Sequence, residues 1–295
     1  MNESILAKLA RPLIVLATLI WGSTFVIMKS TLDTVPTIYL LAFRFTAGAA
    51  ILALVFWKKW RLMDKGYLMG GAVMGTFLFM AYSTQTFGLM GTTPGKNAFL
   101  TAVYCVIVPF LYWIVSHKAP DKFNVAAALL CITGVGLVSL SAEVSINLGD
   151  VLTLVSGFLY ACHIVAVAKN AQGKDIFLLT TVQFAVTAAW AWVFALIFED
   201  FPLAVTGGAL VSLVYLAVAA TAGALLFQNV GQKYTSPATA AVLLALEAPF
   251  GVVFSVLAGG EELSGPMVIG FVLIFVAILC SETKFAFLRG VKKTS

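Results

Sequence analysis

Glu247 is an acidic residue in the middle of an apolar run that extends from residue 236 to residue 258. An ionisable side chain in such a run normally faces a cavity or a partner, because burying it in hydrocarbon costs about 2.5–3.5 kcal/mol. Removal from water favours the protonated carboxyl, which suits a group that takes up and releases a proton. The carboxylate could instead hold a substrate ammonium, or hydrogen-bond across helices without titrating. We expect Glu247 to be a proton-coupling and substrate-binding residue.

Three aromatic residues, Trp21, Tyr104 and Tyr160, lie about ten to twelve residues into apolar runs of their own. At a rise of about 1.5 Å per residue in a helix, this places them at a depth similar to that of Glu247. Aromatic faces attract organic cations, and a desolvated cation–π contact is worth about 2 kcal/mol. These residues could form an amine-binding box with Glu247, and ordinary packing is the alternative.

Further polar residues lie within or near the ends of the same runs. His163 follows Tyr160 by one helical turn and could shuttle protons near neutral pH, or simply serve as an interhelical hydrogen-bond donor. We take it as a second proton-coupling candidate. The spacing of His and Cys residues predicts no metal site, and the sequence suggests no cofactor. The candidate substrate-binding residues are Trp21, Tyr82, Gln85, Asn97, Tyr104, Tyr160, His163, Gln228 and Glu247.

The composition places these residues in a membrane. Of the 295 residues, 61% are hydrophobic and 11% are charged, and the mean hydropathy is +1.01. Globular domains are about 45–50% apolar and about 25% charged, so a soluble fold could not hide this much apolar side chain. Cytosolic enzymes, disordered chains and nucleic-acid-binding proteins are therefore excluded.

The elements that position the candidate residues are apolar runs long enough to span a bilayer as helices, which takes about 20 residues. We predict an all-α integral membrane protein with ten transmembrane helices. The runs are 12–30, 36–57, 66–90, 94–116, 123–141, 148–168, 176–198, 208–231, 236–258 and 266–287.

The basic residues predict the orientation of these spans, because cytoplasmic loops collect Lys and Arg. Of the 18 Lys and Arg residues, all but Lys29, Lys96 and Arg44 fall on one side of the predicted membrane. Both termini are then cytoplasmic, as an even number of spans requires. We expect a multi-pass protein of the plasma (inner) membrane.

The two halves of the chain, residues 1–145 and 146–295, carry related motifs. Gln85, Gly88, Thr92 and Pro94 recur at an offset of 143, with Gln228 as the counterpart of Gln85. Five helices in each half is an odd number, so the second copy must enter the membrane from the opposite face. Inverted repeats are typical of secondary transporters, which bind substrate near the midplane. Duplication of a helical scaffold is the alternative.

At an offset of 139, Trp21 falls on Tyr160, Arg44 on Gln183 and Phe45 on Phe184. Arg44 lies inside the second run. It could pair with a carboxylate or extend towards the membrane surface, and we expect its role to be structural.

Several motifs resemble EamA-type members of the drug/metabolite transporter superfamily. They are Ala17-x-x-x-Trp21-Gly22-Ser23-Thr24-Phe25, Arg44-Phe45, the Leu100-to-Pro109 segment, Leu246-Glu247-Ala248-Pro249 and Gly260-Glu261-Glu262-Leu263. The resemblance covers nearly the whole chain. It implies ten helices, alternating access, and a cavity lined mainly by helices 1, 3, 4, 6, 8 and 9. It also implies a peripheral second helix, and a Glu247 that is general to the family rather than specific for one substrate.

These observations predict a secondary active transporter of a small organic metabolite, such as an amino acid or an amine, rather than an enzyme. The sequence has no Gly-x4-Gly-Lys-[Ser/Thr] motif for ATP, so we expect coupling to protons or to a counter-transported solute. A transporter specific for an organic cation, such as a quaternary ammonium or a drug-like amine, is the alternative. A membrane-embedded enzyme and a receptor scaffold are further alternatives. The expected partners are the substrate and the lipid bilayer, without nucleic acid, for a monomer or homodimer.

The orientation can be tested by labelling. A cysteine introduced into the loop after Lys58 should react with a membrane-impermeant thiol reagent from the cytoplasmic side alone, because this loop carries a cluster of basic residues. Labelling from the outside would show that the topology is inverted.

Overall fold

The computed structural model describes residues 3–92, 94–139, 147–201, 206–257 and 264–284, and within these ranges every regular element is helical. A short 3-10 helix, Trp57–Leu62, follows the second α-helix, and a π-helical segment, Leu216–Gly223, follows the ninth. The α-helices are α1 (Glu3–Thr31), α2 (Thr37–Val55), α3 (Lys65–Met90), α4 (Pro94–Thr101), α5 (Tyr104–Ser116), α6 (Lys122–Ser139), α7 (Leu148–Asn170), α8 (Ile176–Phe198), α9 (Gly207–Tyr215), α10 (Ala224–Lys233), α11 (Pro237–Leu244), α12 (Glu247–Leu257) and α13 (Gly265–Thr283).

Many of these helices are suited to a bilayer. In the described residues, 7 stretches are long and apolar enough to cross a membrane, and Lys122–Leu137 and Gly265–Ser281 are shorter apolar helices. The 26-residue α3 is also long enough to cross. The chain is therefore a multi-pass membrane protein. The expectation of ten spans in two inverted repeats stays a prediction.

Two of the expected runs, 94–116 and 236–258, are each divided into two helices. Ala102 and Val103 separate α4 from α5, and Ala245 and Leu246 separate α11 from α12. Pro249 accounts for the second break, because proline lacks the N–H that would bond to the carbonyl four residues earlier. The N–H of Ala248 bonds to the Ala245 carbonyl instead, at 3.3 Å. Pro109 does not explain the first break, which lies more than one turn before it.

The run 208–231 is also irregular, because it passes through the π-helical segment between α9 and α10. The hydroxyl of Thr221 donates to the carbonyl of Leu216 at 2.8 Å, five residues earlier. Segments of this kind are rare and are frequently found at functional sites. The widened turn leaves the Ala220 carbonyl available to a side chain of another helix, described below.

The helices pack so that elements of the first half alternate with elements of the second. α3 packs along α7 and α8, and α1 packs along α10 and α12. α2 contacts α8 and the π segment, and α6 pairs with α13. The broken helices meet each other, since α5 contacts α11 and α4 contacts α12. Across the residues that the structure describes, the helices of the two halves therefore pack against each other.

The C-terminal end of α3 and the residues just after it form an ion pair and hydrogen bonds with the start of α7. Lys96 forms an ion pair with Asp150 at 2.7 Å, and the Thr92 hydroxyl donates to the other oxygen of Asp150 at 2.8 Å. The Asn147 side chain donates to the carbonyl of Gly91 at 2.9 Å. Under the predicted topology this is the external end of the cavity region.

The opposite end of α3 is fastened to the start of α8. Lys59 pairs with Asp175, and the backbone N–H of Asp175 donates to the hydroxyl of Tyr67 at 2.8 Å. The ammonium of Lys174 donates to the carbonyl of Gly66 at 2.7 Å. Both ends of α3 are thus tied to elements of the second half.

Asp121 joins α6 to the end of α13 on the predicted cytoplasmic side. It accepts hydrogen bonds from the N–H groups of Phe123 and Asn124 and pairs with Lys284 at 2.7 Å. Partial burial alone would raise the pKa of Asp121, but the hydrogen bond from Lys284 and those from the backbone outweigh it and lower the pKa below its ordinary value. This contribution to stability is present at neutral pH and is lost as the pH falls through the lowered pKa.

The close packing of α3 on α8 depends on a glycine. A Cβ on Gly75 would lie 2.6 Å from the backbone oxygen of Gln183 and 2.8 Å from the Cβ of Val186. We expect Gly75→Ala to destabilise the folded protein by about 1–3 kcal/mol, since overpacking forces the helices apart. This loss of stability would be measured as a fall in the melting temperature of the purified protein in detergent.

Gly208→Ala is the matched control, because a Cβ there meets no described atom within 4 Å. Equal melting temperatures for the two variants would contradict the close α3–α8 contact.

Candidate substrate cavity

A narrow cavity lies where the broken helices and the π segment meet. Its lining comes from α1, α2, α3, α5, α7, α10, α11 and α12, so both halves of the chain contribute to it. The lining residues are Trp21, Thr24, Phe25, Met28, Arg44, Tyr82, Gln85, Tyr104, Tyr160, Ile164, Leu225, Gln228, Leu244 and Glu247.

One face of α1 supplies four of these residues, Trp21, Thr24, Phe25 and Met28, whose spacing of three and four residues places them on a single stripe. The Trp21 indole N–H donates to the carbonyl of Ala220 in the π segment at 2.8 Å. The irregular segment therefore fixes the orientation of the Trp21 ring against the cavity.

Tyr104 and Glu247 are the first residues of α5 and α12, and their side chains meet across the cavity. The Tyr104 hydroxyl donates to the Oε1 of Glu247 at 3.3 Å, and the two residues are 3% and 8% exposed. No other hydrogen-bond partner of Glu247 is present among the residues that the structure describes. The N-terminus of α12 favours the carboxylate through the helix dipole, whereas burial favours the neutral carboxyl.

Tyr104 also forms an aromatic wall of the cavity together with Tyr82 and Tyr160. The ring centroids of Tyr82 and Tyr160 are 5.6 Å apart, and those of Tyr104 and Tyr160 are 6.5 Å apart. The Tyr160 hydroxyl donates to the Oε1 of Gln85 at 2.8 Å, and the Gln85 amide donates to Thr101 at 3.1 Å. The wall is therefore held in place by hydrogen bonds as well as by packing.

The structure brings seven of the nine sequence-predicted residues to the cavity and leaves Asn97 and His163 outside its lining. The Asn97 amide donates to the backbone carbonyl of Gln85 at 3.2 Å and to the Thr153 hydroxyl at 2.9 Å. Asn97 thus supports the helix that carries Gln85. Its predicted role in substrate binding is not tested by this placement.

His163 is fully buried in a network of neutral groups behind the cavity. Its Nε2 lies 3.1 Å from the Nε2 of Gln183, and the Asn229 amide donates to Gln183 and Thr180, each at 3.0 Å. The Nδ1 of His163 has no hydrogen-bond partner in the described part of the chain. No hydrogen bond of this network reaches Glu247, and the proton-coupling role of His163 stays a prediction.

Arg44 lines the cavity, although its helix was expected to be peripheral. Its Nε donates to the hydroxyl of Thr221 at 2.8 Å, and its Nη1 lies 3.5 Å from the sulfur of Met28. Its guanidinium carbon lies 4.9 Å from the centre of the Tyr82 ring. Arg44 is only 2% exposed, so it does not extend to the membrane surface.

Sequence reasoning also missed several other lining residues. Thr24, Phe25 and Met28 could have been found from their helical spacing to Trp21, and Ile164 from its spacing to Tyr160. Among the described ranges, no group of three His, Cys, Asp or Glu side chains is placed to hold a metal ion. The motif at residues 260–263 lies outside the described residues.

The sequence matches a known family over almost its whole length. A model of the EamA-like transporter family matches residues 9–140 and 147–283. The chain belongs to the EamA-like transporter family. This family is part of the drug/metabolite transporter superfamily, so the resemblance noted from the motifs is confirmed.

Relatives of the EamA-like chain have been described as transporters without a stated substrate. An uncharacterized transporter of Archaeoglobus fulgidus is 31% identical over 268 residues, which cover 90% of this chain and 82% of that protein. The uncharacterized transporter YoaV of Bacillus subtilis is 25% identical over 202 residues, which cover 65% of this chain and 68% of YoaV.

The fold also has a counterpart among solved structures. The match to one crystal structure covers 96% of this chain and 99% of the chain in that structure, with a TM-score of 0.80 and a sequence identity of 17%. At that identity the likeness concerns the fold alone.

Proposed function

We propose that this EamA-like protein is a secondary active transporter that moves a small organic metabolite by alternating access, with Glu247 as its proton-coupling residue. The single observation that carries this proposal is the central cavity, which both halves of the chain line and in which Tyr104 meets Glu247 at 3.3 Å. A scaffold has no need of a buried carboxylate at such a position.

The proposed architecture is ten membrane-spanning helices in two inverted repeats, residues 1–145 and 146–295. Two separate family matches, to residues 9–140 and 147–283, support the division. The packing supports the inversion, because the contact of α1 with α10 has its counterpart in the contact of α7 with α3. Tyr104 and Glu247 occupy equivalent places in the two breaks.

Such a pair of repeats can exchange conformations and so open the cavity to each side of the membrane in turn. Opening one end would separate the Lys96–Asp150 contact, and opening the other would separate the Lys59–Asp175 contact. These contacts lie at opposite ends of α3. We propose a plasma-membrane location with both termini in the cytoplasm, for a monomer or homodimer.

The surroundings of the Glu247 carboxyl group support its role in proton coupling. Glu247 has one hydrogen-bond partner in the described structure and a side chain that faces the cavity. A carboxyl group in this setting can take up a proton when the cavity opens to one side and release it on the other. Coupling to a counter-transported solute would use the same site without net proton movement.

A transporter for organic cations is the second candidate, favoured by the aromatic wall of Tyr82, Tyr104 and Tyr160 next to Glu247. Against it stands Arg44, which places a positive charge on the same cavity and lies over the face of Tyr82. A substrate cation would have to compete with the Arg44 guanidinium for the face of the Tyr82 ring. A membrane-embedded enzyme would need a nucleophile–base pair, and the hydroxyl that meets the Glu247 carboxylate in the described cavity is the phenol of Tyr104.

The proposal can be tested in two steps. A thermal-shift screen of the purified protein against amino acids, amines, nucleosides and sugars would identify a ligand class, because a bound solute stabilises the folded protein. Uptake of a hit would then be measured in proteoliposomes with an imposed pH gradient. We expect saturable uptake that depends on the gradient. Saturable binding with turnover but no vectorial movement would contradict a transporter.

We expect Glu247→Gln to abolish gradient-driven accumulation while leaving exchange of solute across the membrane, because glutamine cannot carry a proton. Asp33→Asn is the matched control, since Asp33 is exposed in the turn after α1. Gradient-driven uptake by Glu247→Gln equal to that of the parent protein would rule out Glu247 as the coupling residue.

A further inference from the structure

Arg44 is a buried cation without an anionic partner. Among the residues that the structure describes, no Asp or Glu oxygen lies within 4.0 Å of its guanidinium, and its partners are the Thr221 hydroxyl, the Met28 sulfur and the nearby Tyr82 hydroxyl. A guanidinium has five N–H donors and remains protonated in proteins. A charge buried in this way is normally paired, because the desolvation of an ion is costly.

The equivalent position in the second half shows that the fold itself does not require this charge. Gln183 lies at the offset of 139 from Arg44 and is fully buried, but it does not line the cavity. Its amide bonds to neutral groups, His163 and Asn229. A neutral side chain therefore meets the structural needs of one repeat, whereas the other repeat carries a cation that faces the cavity.

The contact with Thr221 does not explain the charge either. One N–H of any polar side chain of similar length could donate to the Thr221 hydroxyl, which already donates to the Leu216 carbonyl. What a guanidinium adds is a flat fork of donors that matches a carboxylate in a bidentate arrangement. The guanidinium carbon of Arg44 lies 4.9 Å from the centre of the Tyr82 ring, and this contact helps to hold the fork at the cavity.

We propose that Arg44 is the carboxylate-binding residue of the central cavity, and that the transported solute is a small organic molecule bearing a carboxylate. The carboxylate neutralises Arg44, while the remainder of the solute extends along the tyrosine wall towards Glu247. An ammonium on the solute would there meet Glu247, and a solute without one would leave Glu247 free to carry a proton. This assignment rests on the proposed transport function and names its substrate class.

The test uses purified, full-length protein and pairs of probes that differ in the carboxylate alone. The pairs are leucine and leucinamide, phenylalanine and phenylalaninamide, and 3-phenylpropionate and 3-phenylpropionamide. Binding is measured by thermal shift and by calorimetry. We expect the parent protein to bind at least one carboxylate at least tenfold more tightly than its amide, a difference of about 1.4 kcal/mol.

Arg44→Gln, which introduces the residue of the second repeat, should remove this preference, so that the carboxylate binds no more tightly than its amide. Arg44→Lys should restore part of the preference, because it keeps the charge but not the fork. Arg61→Gln is the matched control, since Arg61 is exposed on the 3-10 helix. It should bind all probes as the parent does.

A carboxylate preference that survives in Arg44→Gln, or a parent protein that shows no such preference, would overturn the assignment. Should Arg44→Gln not fold, Arg44→Lys alone decides, and carboxylate affinity equal to that of the parent would overturn the proposal. Uptake of the hits in proteoliposomes separates this inference from the proposed function. Saturable uptake of neutral or cationic solutes alone refutes the role of Arg44 but not transport, whereas the absence of any saturable uptake refutes transport itself.

Discussion

A backbone that leaves the α-helical pattern inside a membrane must find its hydrogen-bond partners within the protein, because hydrocarbon supplies none. This constraint explains where the cavity is. The breaks before Tyr104 and Glu247 and the π segment beside Trp21 lie together. The Ala220 carbonyl of the π segment accepts a hydrogen bond from Trp21 of the first half, and the side chains of Tyr104 and Glu247 join the two breaks. The same irregular backbone that would be costly against lipid brings polar side chains to one enclosed space.

The two halves of the chain carry different residues at the equivalent positions that supply the charged side chains of the cavity. Under the proposed repeat, position 104 has a tyrosine where its counterpart, position 247, has a carboxylate, and position 44 has an arginine where its counterpart, position 183, has an amide. The departures from symmetry therefore put one positive and one negative side chain on a cavity whose other lining residues are uncharged. On our account the symmetry provides the conformational exchange, and the departures from it provide the recognition of the solute.

Much of this arrangement could be predicted from the sequence. Composition and run length predicted the membrane class, and the depth of Trp21, Tyr104, Tyr160 and Glu247 predicted residues that do line one cavity. The break before Tyr104 and the π segment could not be predicted, because the apolar runs look continuous there. Pro249 could have indicated the break before Glu247. The position of Arg44 was also missed: its depth was evident, but which face of α2 turns inwards depends on packing against Thr221 and Tyr82.

The central claim, a cavity shared by both halves and opened to each side in turn, is most directly tested at Thr24, which lines the cavity. In a protein whose four native cysteines are replaced by alanine, Thr24→Cys should react with a membrane-impermeant thiol reagent added to either side of sealed vesicles. A cysteine at Ala128, which is buried in α6 away from the cavity, should react from neither. Reaction at residue 24 from one side only, or from neither, would contradict the account.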